Sequence, residues 1–172
     1  MMKKWLPLTL AALNVLALGA AEMRPVSWSD STNAASRFQN NTSGKMTIAD
    51  DPAQKAVRFD VEFKPGTDFW VYPALQLYDN ESLADVKQIR FDFKAMQGNP
   101  DAKYTCAYVM FGNQKEYFTL PTPKNEYQAV TINVAKAVKD PATVKDIKIG
   151  MNPKDTKLTF YIRNLQFIGK AK

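Results

Sequence analysis

Apolar and polar residues alternate along three stretches of the chain. Residues 57–63 read VRFDVEF, residues 89–94 read IRFDFK, and residues 130–134 read VTINV. A period of two places the apolar side chains on one face of a strand and the polar side chains on the other. The pattern therefore predicts antiparallel strands with one buried face and one face in solvent.

Other segments are rich in strand-forming residues and are separated by turns. We expect strands at 69–77, 104–111, 116–120, 146–151 and 158–168. The turns between them carry Pro, Gly, Asn and Asp, and helix is predicted only around residues 31–38 and 134–139, the latter ended by Pro141. About eight or more short strands with polar turns predict an all-β fold, an antiparallel β-sandwich of the jelly-roll kind.

The first 21 residues have the pattern of a signal peptide. Two lysines near the start precede an apolar run over residues 6–18, and Gly-Ala-Ala follows at residues 19–21. The apolar run is shorter than the roughly 20 residues that cross a bilayer, so we expect cleavage and no membrane insertion. The sequence thus predicts one domain at 22–172, secreted or placed in the periplasm or at the cell surface.

Composition and charge exclude several functions. The chain has 23 basic and 17 acidic residues, and these alternate within strands, as in Arg58-Asp60-Glu62, so a nucleic-acid partner is not expected. It has no histidine, and we find no nucleophile elbow, phosphate loop or dinucleotide fingerprint. We therefore expect no catalysis. The single cysteine, Cys106, is interpreted as a small, half-buried strand residue.

The strand order resembles that of the jelly-roll carbohydrate-binding modules of the galactose-binding-like fold, which are attached to bacterial glycoside hydrolases. The resemblance covers roughly residues 55 to 168. It rests on DFWVYP at 68–73, LADVKQIRFD at 83–92, YVMFG at 108–112, YFTLP at 117–121, EYQAVTINV at 126–134, IKIGM at 147–151 and FYIRNL at 160–165. It implies a non-catalytic module that binds a polysaccharide or oligosaccharide on an aromatic-lined, concave sheet face.

Sugar binding requires aromatic faces for the C–H side of a pyranose and planar polar groups for its hydroxyls. Alternation within the predicted strands places several such side chains away from the core, and we expect them to line one concave sheet. The predicted aromatic platform is Trp70, Tyr72, Tyr108 and Tyr161, with Arg90, Asp92 and Arg163 as hydrogen-bonding groups. The alternatives are ordinary strand aromatics and a cross-strand ion pair.

Two further questions stay open at the level of sequence. A calcium ion is frequent in this fold, and candidate oxygen ligands without fixed spacing are Asp30, Asn40, Asn41, Asp50 and Asp51. Turn and capping roles explain these residues equally well, so no cofactor is predicted.

The alternative function is a protein-interaction module that uses the same aromatic face or an edge strand to bind another exported protein. Trp28 is expected to be a core or lid residue.

Overall fold

The strands of this computed structural model form two antiparallel sheets. The structure describes residues 23–25, 34–67, 69–78, 81–99, 101 and 106–169, with the backbone only at 23–25. The strands are β1 (Met23–Pro25), β2 (Phe38–Gln39), β3 (Lys45–Asp51), β4 (Ala56–Glu62), β5 (Ala74–Gln76), β6 (Val86–Gln97), β7 (Cys106–Phe111), β8 (Tyr117–Thr119), β9 (Gln128–Asn133), β10 (Asp146–Asn152) and β11 (Lys157–Gly169). Among the described residues, helix is limited to α1 (Val134–Ala137) and 3-10 turns at Ala35–Arg37, Leu83–Asp85 and Pro141–Thr143.

One sheet has six strands and the other has five. The six-stranded sheet runs β3-β4-β11-β6-β9, with β1 also paired to β11, and the five-stranded sheet runs β2-β5-β10-β7-β8. Alternation within β4 shows how the sequence produces this arrangement, since Val57, Phe59 and Val61 are buried while Arg58 and Glu62 are exposed. The predicted antiparallel β-sandwich is confirmed.

The core lies between the two sheets. Phe59 of β4 stacks on Phe160 of β11 with ring centroids 4.4 Å apart, and Phe38 of β2 meets Phe59 edge-on at 4.9 Å. A small apolar cavity is lined from one sheet by residues such as Leu75 and from the other by residues such as Ile162. The inner faces therefore oppose each other, and the two outer faces lie on opposite sides of the molecule.

Several strand boundaries differ from the prediction. The expected strand 69–77 is regular only in β5, and before it a single bridge joins Val71 to Met151, because Pro73 has no N–H for the ladder. The edge strand β3 was not predicted, since its alternation is weak. The expected helix 134–139 is reduced to the single turn of α1, and the expected helix 31–38 is described only from residue 34, where a 3-10 turn leads into β2.

Some sequence-based expectations fall outside the described residues. These are the signal peptide at 1–21, the role of Trp28 and the candidate calcium ligand Asp30. In the part of the chain that the structure describes, no helix has the length and apolar character to span a membrane.

Candidate functional site

Four aromatic side chains meet on the outer face of the five-stranded sheet. Tyr108 points outward from β7 because its neighbours Ala107 and Val109 fill the core. Tyr117 is presented by the adjacent strand β8, and Trp70 and Tyr72 flank the buried residue Val71 in the segment before β5. We call the set Trp70, Tyr72, Tyr108 and Tyr117 the aromatic face.

The rings of the aromatic face contact one another. Trp70 and Tyr72 stack with centroids 5.5 Å apart and planes 11° from parallel. Tyr108 lies 5.6 Å from Trp70 and 6.4 Å from Tyr72, tilted by 55° to each. Tyr117 lies 5.3 Å from Tyr108, and it is 63% exposed. The four rings therefore form one continuous apolar surface that solvent reaches most freely at Tyr117.

Backbone hydrogen bonds fix the segment that carries Trp70 and Tyr72. Val71 exchanges two hydrogen bonds with Met151 of β10, at 3.0 and 3.1 Å. The Trp70 carbonyl oxygen accepts from the Thr42 hydroxyl at 2.7 Å and from the Ser43 N–H at 3.3 Å. Although this segment is not regular strand, both of its edges are thus bonded, and the two rings are held in place.

The polar groups next to the aromatic face are mostly paired. Lys148 lies opposite Met110 in the β10–β7 ladder, and its Nζ is 3.3 Å from Asp146 Oδ1 and 3.3 Å from the Gly112 carbonyl oxygen. The Tyr72 and Tyr108 hydroxyls are hydrogen-bonded at 3.0 Å. Burial, with this hydrogen bond as a second cause, raises the pKa of Tyr108 well above its usual range, so its phenol stays neutral in alkaline solution where a free tyrosine ionises.

The expectation that seven residues line one sheet face is wrong. Trp70, Tyr72 and Tyr108 lie on the outer face of the five-stranded sheet, whereas Arg90, Asp92, Tyr161 and Arg163 lie on the outer face of the six-stranded sheet. The physical reason is topological. Strands β6 and β11 pair with each other, so their outward residues share a face that the sandwich core separates from β7.

On the six-stranded sheet the aromatic rings are covered by cations. Tyr161 is only 6% exposed, and Lys94 Nζ lies 4.6 Å from its centroid. The Arg163 guanidinium lies 3.6 Å from the Tyr127 centroid and bonds Asp92 at 3.1 Å. The structure thus places Asp92 and Arg163 in the cross-strand ion pair considered as an alternative, and these rings have little free face for a ligand.

Arg90 stands apart from that pair. It is exposed on β6 and donates to the Gln88 side chain at 2.8 Å. Arg90 therefore lies on the opposite side of the sandwich from the aromatic face.

Tyr117 was missed as a site residue. The strand at 116–120 was predicted, and its alternation pairs the exposed Tyr117 and Thr119 against Phe118 and Leu120. The alternation of inward and outward side chains that identifies Tyr108 in β7 also identifies Tyr117 as an outward ring in β8.

Three of the four described calcium candidates accept a hydrogen bond from a backbone N–H, and for Asn40 and Asp51 this bond lies within a turn. Asn40 Oδ1 accepts from the Thr42 N–H, Asp50 Oδ1 from the Ala35 N–H and Asp51 Oδ1 from the Gln54 N–H. Among the residues with described side chains, no three His, Cys, Asp or Glu side chains group as a metal site would require. Cys106 lies half-buried beside the aromatic face, and burial raises the pKa of its thiol.

Comparison with known proteins identifies the fold. No protein-family model matches the chain, and no curated protein matches it. The family 11 carbohydrate-binding module of the cellulosomal cellulase Lic26A-Cel5E of Clostridium thermocellum is similar over 89% of this chain and 98% of that one, with 13% identity and a TM-score of 0.62. The fold is that of a carbohydrate-binding module.

Two further solved structures extend this similarity. The carbohydrate-binding module TmCBM27, solved in a study of specific mannan recognition, matches over 87% of this chain and 96% of that one, with 17% identity and a TM-score of 0.52. The agarase AgWH50C matches over 86% of this chain but only 24% of its own length, with 8% identity and a TM-score of 0.59. The predicted jelly-roll fold of carbohydrate-binding modules is thereby confirmed.

Proposed function

We propose that this chain is an exported, non-catalytic carbohydrate-binding module that binds a polysaccharide or oligosaccharide on the aromatic face. The observation that carries the proposal is the continuous surface of Trp70, Tyr72, Tyr108 and Tyr117 on one outer sheet face, with centroid separations of 5.3 to 6.4 Å between neighbours. Aromatic surfaces of this kind suit the C–H faces of pyranose rings.

The contrast between the two outer faces supports this choice of surface. On the six-stranded sheet, Arg163 covers Tyr127, and Lys94 lies over both Tyr127 and Tyr161. Within the aromatic face, each ring contacts other rings, and Tyr117 keeps more than half of its surface in solvent. A cation–ring contact lies farther along the chain, where the Arg37 guanidinium is 4.4 Å from the centroid of Tyr78. A sugar can therefore stack on the aromatic face without displacing an ion pair.

Polar groups near the rings supply hydrogen bonds to sugar hydroxyls. The Tyr72 and Tyr108 hydroxyls bond each other, which uses one of their two protons and leaves the other available to a ligand. Aromatic rings for stacking and a few convergent polar groups are the usual elements of a carbohydrate site.

Three observations support the absence of catalysis. The chain has no histidine, and the carboxylate of β10, Asp146, is paired with Lys148. Several matching solved structures are named as carbohydrate-binding modules. We propose that the pattern of a signal peptide at residues 1–21 directs the protein out of the cytoplasm.

The proposal is tested by native affinity electrophoresis of the mature chain, residues 22–172, in gels that contain mixed-linkage β-glucan, galactomannan or agarose. We expect retardation in at least one gel, loss of it in the Trp70→Ala/Tyr72→Ala double variant, and full retention in Tyr127→Ala, which removes a ring from the opposite face. Circular dichroism confirms that each variant is folded. Folded wild type that no glycan retards would contradict the proposal and favour a protein partner.

A further inference from the structure

Gly150 of β10 lies under the aromatic face. A methyl group built on its Cα would lie 2.5 Å from Tyr108 Cε2 and 2.6 Å from Tyr108 Cζ. Such distances are far inside van der Waals contact, so the phenol end of the Tyr108 ring rests directly on the Gly150 backbone. Any larger residue at this position would lift the ring away from the sheet.

The requirement for glycine at this position comes from the ring and not from the backbone. Gly150 sits within a regular antiparallel ladder opposite Tyr108, and its φ is not in the left-handed region, unlike that of Gly66 or Gly112. An alanine could therefore adopt the same backbone conformation. The three atoms that an added Cβ would approach most closely all belong to the Tyr108 ring.

The position of the ring has a second anchor. On the other side of β10, Val71 pairs with Met151 and the Ile149 N–H donates to the Pro73 carbonyl oxygen, which brings Tyr72 beside Gly150. The Tyr108 ring crosses the glycine, and its hydroxyl reaches the Tyr72 hydroxyl at 3.0 Å. The bare backbone at Gly150 thus allows Tyr108 of β7 and Tyr72, which lie on opposite sides of β10, to meet.

We infer that Gly150 is a positioning residue for ligand binding: it holds Tyr108 against the sheet so that Tyr108 joins Tyr72 and Trp70 in one surface. Gly150 itself contributes no side chain to a ligand. Its effect on affinity passes entirely through Tyr108. The predicted effect on glycan affinity rests on the proposed function. A second predicted effect, on the pKa of Tyr108, does not depend on sugar binding.

A double-mutant cycle tests the binding side. Isothermal titration uses whichever of mixed-linkage β-glucan, galactomannan or agarose-derived oligosaccharide retards the wild type. We expect Gly150→Ala to lower affinity at least about tenfold in the wild type but less than about twofold in a Tyr108→Ala background, because the second change removes the clash. Equal losses in both backgrounds would overturn the inference, since Gly150 would then act independently of Tyr108.

A matched control separates this effect from the general cost of replacing glycine. At Gly98 an added Cβ would come no closer than 3.0 Å, to the Cβ of Lys157. We expect Gly98→Ala to retain wild-type affinity. If Gly150→Ala fails to fold while Gly150→Ala/Tyr108→Ala folds, the rescue supports the same conclusion. If both fail to fold, the clash with Tyr108 is not the reason for the glycine, and the inference is wrong.

The second readout needs no glycan. Selective ¹³Cζ labelling of tyrosine reports the ionisation of each phenol in a pH titration, and the Tyr108 signal is assigned by its loss in Tyr108→Phe. We expect Gly150→Ala to lower the pKa of Tyr108 toward its usual value, because the displaced ring loses both its burial and its bond to Tyr72. An unchanged titration would contradict the inference even if the wild type binds sugar. A wild type that binds no glycan contradicts only the proposed function.

Discussion

Tyr117→Ala is the sharpest single test of ligand stacking, because Tyr117 is the most exposed ring of the aromatic face. A tyrosine presents roughly 200 Å² of surface, and at 63% exposure about 130 Å² remains accessible. A sugar ring over one face would cover about half of that, or about 65 Å². At about 25 cal/mol per Å² the stacking is worth about 1.6 kcal/mol, so we expect Tyr117→Ala to weaken binding about 15-fold.

The assay is isothermal titration with the glycan that retards the wild type, alongside Tyr127→Ala as the control. Tyr127 also lies on an outer face, but on the six-stranded sheet under the Arg163 guanidinium. We expect its removal to change affinity less than about twofold. Because Tyr117 is largely exposed, its substitution should alter the free energy of unfolding by no more than about 0.5 kcal/mol. Equal affinity losses in the two variants, or none in Tyr117→Ala, would refute the assignment of the site.

Three other predictions follow from the packing and the electrostatics. Phe160→Ala should lower the free energy of unfolding by about 3–5 kcal/mol in urea titrations, since it removes the partner of the Phe59 stack; a loss below about 1 kcal/mol would show that the core collapses around the gap. Arg163→Ala should cost about 1 kcal/mol of stability and leave glycan affinity unchanged, because Arg163 covers Tyr127 on the far sheet. The raised pKa of Tyr108 makes its stabilising contribution complete below about pH 10 and progressively lost above it. The difference in the free energy of unfolding between wild type and Tyr108→Phe should therefore be constant up to about pH 10 and fall from about pH 10 to 12; a difference that stays constant over that range would contradict this.

The period-two pattern predicted the faces of individual strands well. In β7 it placed Tyr108 opposite Val109, and in β11 it placed Tyr161 opposite Phe160 and Ile162. In the structure Val109, Phe160 and Ile162 lie in the core between the sheets, whereas Tyr108 contacts Trp70 on one outer face and Tyr161 lies under Lys94 on the other. The reason is physical: alternation is a local property of the extended backbone, and burying one side of a strand fixes the other. The class of fold followed from the same signal.

The grouping of side chains into one site could not be predicted in the same way. Alternation tells which side of its own strand Tyr161 occupies, but not which sheet the strand joins. That choice depends on pairing between residues far apart in sequence, such as Ile162 with Phe93 and Val57. The close approach of Tyr108 to Gly150 likewise depends on the pairing of distant strands. The residues next to either one in the sequence do not reveal it.

The order of strands also has a consequence in time. Strand β10 separates β5 from β7, and β11 separates β4 from β6, so the central partner in each sheet comes from residues 146–169. Until these residues have been synthesised, the strands on either side of β10 and β11 have no central strand to pair with. Long-range pairing of this kind slows folding. The two sides of the aromatic face stay apart until β10 inserts, so the surface that would recognise a sugar is completed late on the folding pathway.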